Sequence, residues 1–340
     1  MAGRRQHHVW QMLQRGFSQL EYNEHHVWVY RKGVEPKRTV TKKFGRENYF
    51  YGPEGSDADT NITEFENSVQ GVIQEARSAK NGTVVNAEEI APIVSHLEIR
   101  SSFLRLEISS LGKRILQTLE KYLSSPKHSQ ELLTAYYRNH PEVLEDALDE
   151  AGFHGEMREM LVAMLEDNLP SAIKGASAEL TSIASLIFSP LIQGITETAK
   201  GAHKKSLEGS FTEIERTETH KKLQYTVCKA ENGRFILPDT CLCFFKWKGC
   251  SPISQKGDVI ESVVMPISTQ VCIIGQAEGS IQRAPETINK ALASCSFEAF
   301  LAEHMSDHCK KLSSRIGRNA RLMSEAEIRK ILRFRDLLNI

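Results

Sequence analysis

Strand-like segments stand near both ends of this 340-residue chain, and a long helical pattern separates them. Aromatic and β-branched residues favour strands in 1–52 and 223–275, whereas apolar residues recur at helical spacing in 60–215 and again in 285–340. Because a sheet must bury a face against another layer, the two strand regions are expected to join. The pattern therefore predicts an α+β fold, with a mixed or antiparallel sheet from N- and C-terminal strands around a large helical middle, in a single domain over 1–340.

The opening segment combines a helical pattern with paired histidines. Apolar residues at every fourth position predict an amphipathic helix over 6–17, with His7 and His8 in its first turn. The aromatic stretch 25–33 predicts a strand, and RTVTKKF at 38–44 predicts a second strand that pairs back on it.

The helical middle is expected to begin at Thr60 or Asn61, with Thr63 and Glu66 as a capping-box pair and a stop at Asn81-Gly82. From Ala87, capped by Asn86, helical spacing continues to Leu123 and predicts a long central helix. Beyond it, the sequence predicts helices at 130–138, 141–151 and 156–168 and a small-residue-rich helical region to about Lys204.

The third part of the chain is strand-like and then helical. At least four strands are expected in 223–275, with a turn at Glu231-Asn232-Gly233. Helices are expected from Glu286 to about Ser313 and from Ser324 to Leu338.

Formal net charge is zero but unevenly distributed. Residues 1–48 hold ten Lys/Arg and four acids, 141–170 hold one Arg and nine acids, and 306–340 hold nine Lys/Arg and four acids. Two interpretations stay open: the basic ends pack against the acidic middle or simply solvate separate faces, or they bind an anionic ligand such as a phosphate backbone.

Membrane, metal and secretion signals are weak. The longest mostly apolar stretch, Ile183–Ile195, falls short of the roughly 20 residues that cross a bilayer, so no membrane span is expected. The absence of a signal peptide and the odd number of cysteines favour a reducing, cytoplasmic setting. Zinc at Cys241, Cys243 and Cys250 is less favoured than packing on a strand, so neither metal nor cofactor is expected.

Several enzyme classes lack their signatures. The sequence holds no GxxxxGK[ST] phosphate loop, no GxGxxG after a strand, no GxSxG elbow and no HExxH helix. These absences remove the common nucleotide-dependent, hydrolase and zinc-protease interpretations.

An ordered set of motifs, HHVWQMLQRGF, VWVYRKG, NYFYG, VSHLEIRSSFLR, GRFILPDTC and VVMPIS, resembles a widespread bacterial family of unknown function. Its members begin with His-x-x-Pro-Gln-x-x-Leu-x-x-Phe and later carry a Gln-x-x-Arg helix and a Ser-Asp-x-Pro strand turn. The resemblance covers nearly the whole chain and implies functional positions at His8, Arg100 and Asp239. Trp10 and Cys241 stand where prolines are usual in the family.

The three positions suggest metal-independent RNA cleavage. His8 would deprotonate a 2′-hydroxyl, Arg100 would hold the scissile phosphate, and Asp239 would orient His8. Second candidates for such a site are Glu66, Glu98 and Arg105. Arg15, Trp28, Tyr30 and Tyr51 would contact nucleic acid through its backbone and by stacking on unpaired bases.

Two function classes therefore stay open. One is a nuclease acting as a toxin or defence effector in a bacterium, with nucleic acid as partner; the other is a non-catalytic binding or sensing module in which the same polar residues form a structural network. No membrane partner is expected, and the sequence identifies no protein partner. Convergence of His8, Arg100 and Asp239 in a basic cleft would favour the enzyme.

Overall fold

The computed structural model describes residues 5–209, 215–231, 233–247, 249–281 and 283–332. The chain divides into two compact units. Unit 1 comprises Met1–Leu106 and Lys200–Arg321, and unit 2 comprises Glu107–Ala199 and Leu322–Ile340. Whether the chain behaves as the single domain expected from the sequence stays a prediction.

The described strands are β1 (Arg5–His7), β2 (Gln19–Glu21), β3 (Glu24–Arg31), β4 (Val34–Val40), β5 (Arg46–Asn48), β6 (Val84–Val85), β7 (Gln224–Lys229), β8 (Leu237–Pro238), β9 (Cys243–Lys246), β10 (Gly249–Ser251), β11 (Ile260–Pro266), β12 (Val271–Gln276) and β13 (Ala299–Ala302).

The described α-helices are α1 (Gln11–Arg15), α2 (Asp57–Ser68), α3 (Gln70–Ser78), α4 (Ala87–Ile99), α5 (Ser102–Leu123), α6 (Pro126–Asn139), α7 (Glu142–Glu150), α8 (Glu156–Leu207), α9 (Glu215–Lys221), α10 (Pro285–Cys295), α11 (Asp307–Ser313) and α12 (Glu325–Leu332), and a 3₁₀ turn covers Thr41–Lys43.

Antiparallel sheets in unit 1 join the two ends of the chain. One sheet has the order β10-β9-β11-β12-β7-β6, and a second has the order β2-β3-β13-β8 with β4 also paired to β3. The β3–β13 pair, with Trp28 opposite Ala302 and Tyr30 opposite Phe300, hydrogen-bonds the N-terminal strands to a C-terminal strand. The predicted α+β fold, with a sheet from both ends around a helical middle, is confirmed.

Helix α4 lies in the core and sets the position of the polar residues described below. Every residue from Ile90 to Ile99 is buried, so the helix is enclosed on all sides rather than on one face. Its N-terminus is capped as predicted, because the Asn86 side chain accepts a hydrogen bond from the Glu88 N–H at 3.0 Å. Polar side chains near its C-terminal end are therefore held away from solvent.

The opening segment departs from its predicted helix. Strand β1 pairs with β5, placing His7 opposite Arg46, and α1 begins only at Gln11. The N–H groups of His8 and Val9 both donate to the Gly45 carbonyl, at 2.8 and 3.3 Å. Because these donors are used outside a helix, the prediction of His7 and His8 in a first helical turn is wrong.

Two helix predictions in the middle of unit 1 also need correction. Helix α2 begins at Asp57, so Thr60 lies inside it and Thr63 donates to the Asp59 carbonyl instead of capping. Glu66 pairs with Arg100, as described below, rather than completing a capping box. The long helix expected from Ala87 is interrupted between Ile99 and Ser102, since α4 ends there and α5 begins.

The C-terminal part holds two strands that the sequence did not indicate. Helix α10 ends at Cys295, and β13 and α11 follow where one helical region to Ser313 was expected. Strand β10 is a short strand between β9 and β11 for which the sequence pattern gave no separate signal. Asn232 of the predicted turn and residues 333–338 of the last predicted helix lie outside the described residues.

Unit 2 is helical. Helix α8 is 52 residues long and continues through Pro170 and Pro190, where two helical regions were expected. An 18-residue window within it has a mean hydropathy of 1.3 and is only 11% buried. Length and composition would allow this helix to cross a membrane, and the expectation of no membrane span stays a prediction.

Candidate functional site

Arg100 lies just after the last turn of α4 and faces inward. Its Nε donates to the His7 carbonyl at 2.9 Å, its Nη1 lies 3.2 Å from His96 Nε2, and the same nitrogen pairs with Glu66. Its guanidinium carbon is 5.3 Å from the centroid of the Tyr51 ring, and the residue is 2% exposed. Arg100 therefore joins the opening strand, α2 and α4, and most of its donors are committed within the protein.

His8 follows β1 and lies at the border of the buried region. Its ring is half-buried, and its centroid is 5.5 Å from that of Phe50. Its Nδ1 is buried and has no hydrogen-bond partner among the described residues. Burial, reinforced by the charges of Arg100 and Arg105, lowers the pKa of His8 to about 3, so the imidazole is neutral at pH 7.

A second histidine and a second arginine lie around Phe50. The Arg105 guanidinium carbon is 3.9 Å from the Phe50 centroid, and its Nη2 is 2.5 Å from Glu47 Oε2. The His203 ring centroid is 5.6 Å from that of Phe50. We call His8, Phe50, Arg105 and His203 the His8 cluster. Every member belongs to unit 1.

His203 was not predicted, because a lone histidine near the end of a small-residue helix matches no motif. Its Nε2 lies 2.8 Å from the Ile99 carbonyl, which fixes the ring at the break between α4 and α5. Burial lowers the pKa of His203, a hydrogen bond to Ile99 opposes that shift, and the charge of Arg105 adds to it. The ring is therefore also biased towards the neutral form.

Asp239 follows β8, and its carboxylate is occupied by backbone donors. The N–H groups of Phe297, Glu298 and Ala299 donate to it at 2.7, 2.7 and 2.9 Å. Burial raises the pKa of Asp239 to about 6, and the three N–H donors oppose that rise. No hydrogen bond joins Asp239 to His8 among the described residues. The carboxylate therefore fixes the chain between α10 and β13, and the role of Asp239 in orienting His8 stays a prediction.

Cys241 links Asp239 to Arg100 electrostatically. Burial raises the pKa of Cys241 to about 12, with Arg100 lowering it and Asp239 raising it. Its backbone has a φ of +63°, which is rare for a residue with a Cβ and stores strain at this corner. His8, Arg100 and Asp239 thus belong to one region of unit 1, but no hydrogen bond joins any two of their side chains within the described contacts.

Glu98 belongs to a separate buried network. Its carboxylate accepts from the Ser254 N–H at 2.5 Å and lies 3.1 Å from His220 Nε2, and it also pairs with Arg216. Burial works against the charged form, yet His220 and Arg216 hold the pKa of Glu98 below its ordinary value. The carboxylate joins α4, α9 and the segment after β10, and none of its described contacts is with the His8 cluster.

The predicted nucleic-acid contacts differ in exposure. Tyr30 is stacked on Phe300 at 5.0 Å, and Tyr30 and Tyr51 are buried, so neither ring offers an open face to a base. Trp28 is half-buried against the core. Arg15 is exposed, and its Nη2 is 3.3 Å from Gln11 Oε1.

A cleft of about 950 Å³ lies elsewhere in unit 1. Its described lining includes Cys228, Lys229, Arg234, Arg283 and His308 and none of the residues predicted for the site. Cleft volume alone therefore does not identify the His8 cluster as a site. The cluster is identified by its arginine charges and by the His8 Nδ1, which has no partner among the described residues.

Comparison with known proteins gives one match. A family model described as "Protein of unknown function (DUF4238)" matches residues 5–321. No curated protein and no solved structure matches the chain. The resemblance to a family of unknown function, drawn from the ordered motifs, is confirmed.

Proposed function

We propose that this chain, which belongs to the DUF4238 family, binds a phosphate group of RNA at the His8 cluster. One observation carries the proposal: the buried Nδ1 of His8 has no partner among the described residues, and it lies in the positive potential of Arg100 and Arg105. A buried polar atom without a partner costs about 1–3 kcal/mol, which a hydrogen-bonding ligand would recover. An anion would also offset the two guanidinium charges.

Arg105 is the residue best placed to bind the phosphate. Its present partner, the Glu47 side chain, is 50% exposed, and such ion pairs contribute only about 0–1 kcal/mol. A phosphate can therefore replace the Glu47 carboxylate at little cost. Arg100 would act differently, as a positioning residue, because its own donors already bind His7 and Glu66.

RNA is proposed as the source of the phosphate because basic residues predominate in the N-terminal segment that carries His8. Residues 1–48 hold ten Lys/Arg against four acids. A polyanion gains from each neighbouring cation by releasing condensed counterions, so its affinity falls with salt.

Fluorescence anisotropy with a labelled single-stranded RNA, in the presence of a chelator, tests this binding. Arg105→Gln should weaken binding by about tenfold and reduce the slope of log affinity against log salt by about one. The matched control is Arg158→Gln, since Arg158 also pairs with a partly exposed glutamate, Glu145, outside both the cluster and the basic segment 1–48. Equal losses in both variants, or no binding by the wild-type protein, would overturn the proposal.

RNA cleavage is the second candidate function, and the paired histidines favour it. His8 and His203 lie at similar distances from Phe50, 5.5 and 5.6 Å between centroids, beside the Arg105 guanidinium. In this scheme His8 takes the proton of a 2′-hydroxyl, the 2′-oxygen bonds to phosphorus, and the bond from phosphorus to the 5′-oxygen breaks. His203, after taking a proton from solvent, protonates that leaving oxygen, and a 2′,3′-cyclic phosphate remains. Arg105 takes over the phosphate-binding role first expected of Arg100.

Incubation of total RNA with the purified protein, with and without chelator, tests cleavage. Cleavage by the wild type in both conditions, lost in His8→Ala but kept in His25→Ala, supports a metal-independent nuclease. His25 is a fitting control because it lies on β3 and bonds Ser18 outside the cluster. Intact RNA in both conditions would reject cleavage, and RNA binding would remain as the proposed function. Relief of growth inhibition by His8→Ala in an expressing bacterium would support a toxin or defence role.

A further inference from the structure

Three cysteines from distant parts of the sequence meet in unit 1. The Sγ atoms of Cys243, Cys250 and Cys295 all lie within 4.8 Å of one another, and the Cys243–Cys295 separation is 3.5 Å. With Zn–S bonds of about 2.3 Å, the edge of a tetrahedral thiolate site measures about 3.8 Å. The three sulfurs are therefore spaced much as thiolates around one zinc ion are spaced. We call them the cysteine cluster.

The fold brings these residues together through a hairpin and a helix end. Cys250 on β10 is opposite Phe245 on β9, so Cys243, two residues before Phe245, projects from the same face of the hairpin. Cys295 is the last residue of α10 and contributes its thiol to the cluster. The sequence disfavoured zinc at Cys241, Cys243 and Cys250; two of these three residues belong to the cysteine cluster, whereas Cys241 lies near Arg100 and Asp239.

One side of the cluster is open to a fourth ligand. Cys243 and Cys295 are buried, whereas Cys250 is half-buried and Asn319 is exposed. The Asn319 Nδ2 lies 2.9 Å from the Cys250 Sγ. A donor from solvent or the Asn319 amide oxygen can therefore approach on that side, while the other two thiols are shielded.

Nearby cations suit a site of negative charge. The Arg283 guanidinium stacks 4.1 Å from the Phe245 ring, beside the hairpin face that carries two of the cysteines. The Arg315 Nε bonds the Ser294 hydroxyl at 3.1 Å, next to Cys295 along the chain.

The geometry points to a metal site in which Cys243, Cys250 and Cys295 bind one Zn²⁺ ion, with the fourth position facing Asn319. A disulfide would use only two of the three sulfurs, and it would require the Cys243 and Cys295 sulfurs to approach from 3.5 Å to about 2 Å. A zinc ion uses all three at nearly their present spacing. Bound metal would join the hairpin β9–β10 to α10 and so stabilise the folded chain.

Titration of the full-length, reduced and chelator-treated protein with Co²⁺ tests the site. Thiolate ligands should give a sulfur-to-cobalt charge-transfer band, together with the visible bands of tetrahedral cobalt. The bands should saturate at one Co²⁺ per chain and disappear when Zn²⁺ is added. Elemental analysis of the untreated protein should find zinc at about one equivalent per chain.

The decisive variant is Cys250→Ser, because Cys250 is half-buried and its replacement leaves the core intact. It should weaken Co²⁺ binding by at least about tenfold, by loss of one of three thiolates. Cys309→Ser is the matched control, since Cys309 is a buried free thiol outside the cluster. Asn319→Ala should keep the charge-transfer band and shift the visible bands, and circular dichroism should verify that each variant is folded.

Two results would overturn the inference. One is a folded, reduced wild-type protein that takes up no Co²⁺ or Zn²⁺. The other is metal binding that Cys250→Ser and Cys309→Ser leave equally unchanged. RNA binding at the His8 cluster is measured separately, so either result leaves that proposal standing.

Discussion

The Nε of Arg100 lies 2.9 Å from the main-chain carbonyl oxygen of His7, although 93 residues separate the two in sequence. Arg100 is the arginine of the helix motif, and His7 directly precedes the leading histidine of the opening motif, so one contact joins both. The link explains why a cation stands at the break between α4 and α5. Its guanidinium satisfies a strand carbonyl that the short β1–β5 pair leaves available.

Replacing Arg100 should lower the free energy of unfolding, because its side chain is buried and bonds other parts of the protein. Arg100→Met removes the partner of Glu66 and a donor to His7. Loss of one member of a buried pair destabilises by about 3–5 kcal/mol, and the partly exposed Glu66 places this case at the lower end. Urea denaturation measures the change, with Arg38→Met as a surface control expected to cost under about 1 kcal/mol. An Arg100→Met protein of normal stability that no longer binds RNA would assign Arg100 to the ligand instead.

Substitution of Asp239, in the strand-turn motif, should also lower the free energy of unfolding. Asp239→Ala leaves three backbone N–H groups without their acceptor, whereas Asp239→Asn keeps one acceptor oxygen but turns an NH₂ group towards a donor. We expect about 1–3 kcal/mol of destabilisation for asparagine and more for alanine. Asp307→Asn, in the exposed first turn of α11, controls for loss of charge alone. Free energies of unfolding from urea titrations check the order, and equal effects of the two Asp239 substitutions would contradict it.

Burial of neutral histidines predicts an acid-sensitive fold. Burial lowers the pKa of His7 to about 4 and those of His8 and His96 to about 3. Below about pH 6.5 these histidines bind protons in the unfolded chain but stay neutral in the folded chain. Their contribution to the free energy of unfolding is therefore complete above pH 6.5 and is lost as pH falls towards 4.

His96 should dominate this pH dependence, because its side chain is fully buried. Its share at pH 4 is about 3 kcal/mol. His96→Gln should flatten the plot of unfolding free energy against pH between 4 and 6.5, and the exposed His154 provides a control as His154→Gln. A slope that His96→Gln leaves unchanged would show that other groups carry the acid sensitivity.

The overall architecture could be predicted because it depends on local periodicity. Strand-like segments at both ends required a common sheet, and the β3–β13 pair supplies it. The break at Arg100 could not be predicted, since the apolar spacing continues across it and the contact of Arg100 with the distant His7 carbonyl has no signature in the sequence. The change to small residues near Pro170 led to a prediction of two helical regions and hid that α8 is one helix.

Long-range polar contacts set the same limit on predicting the site. Motif positions located His8, Arg100 and Asp239 in one region, but their partners are a carbonyl, a glutamate and three backbone N–H groups that no spacing reveals. His203 and Cys295 were missed because each reaches its cluster from a different element. A lone histidine or cysteine in a helix gives no signal of such a meeting.

The exposed apolar residues of α8 lead to a last prediction, on stability within unit 2. Leu186 is 75% exposed and Ile173, on the same helix, is 6% exposed. Leu186→Ser should therefore change the free energy of unfolding by less than about 0.5 kcal/mol, since no packed contact is lost. Ile173→Ser should cost about 2–5 kcal/mol through lost burial and a buried hydroxyl.

Urea denaturation of dilute protein, followed by the helical circular dichroism signal, compares the two α8 variants directly. Sedimentation of wild type and Leu186→Ser over a range of concentrations completes the test, because an uncovered apolar stripe promotes self-association that serine would reduce. A loss in Leu186→Ser as large as that in Ile173→Ser would contradict the exposure seen at this position. It would mean that this face of α8 is covered in solution, by a second copy of the chain or by more of its own residues.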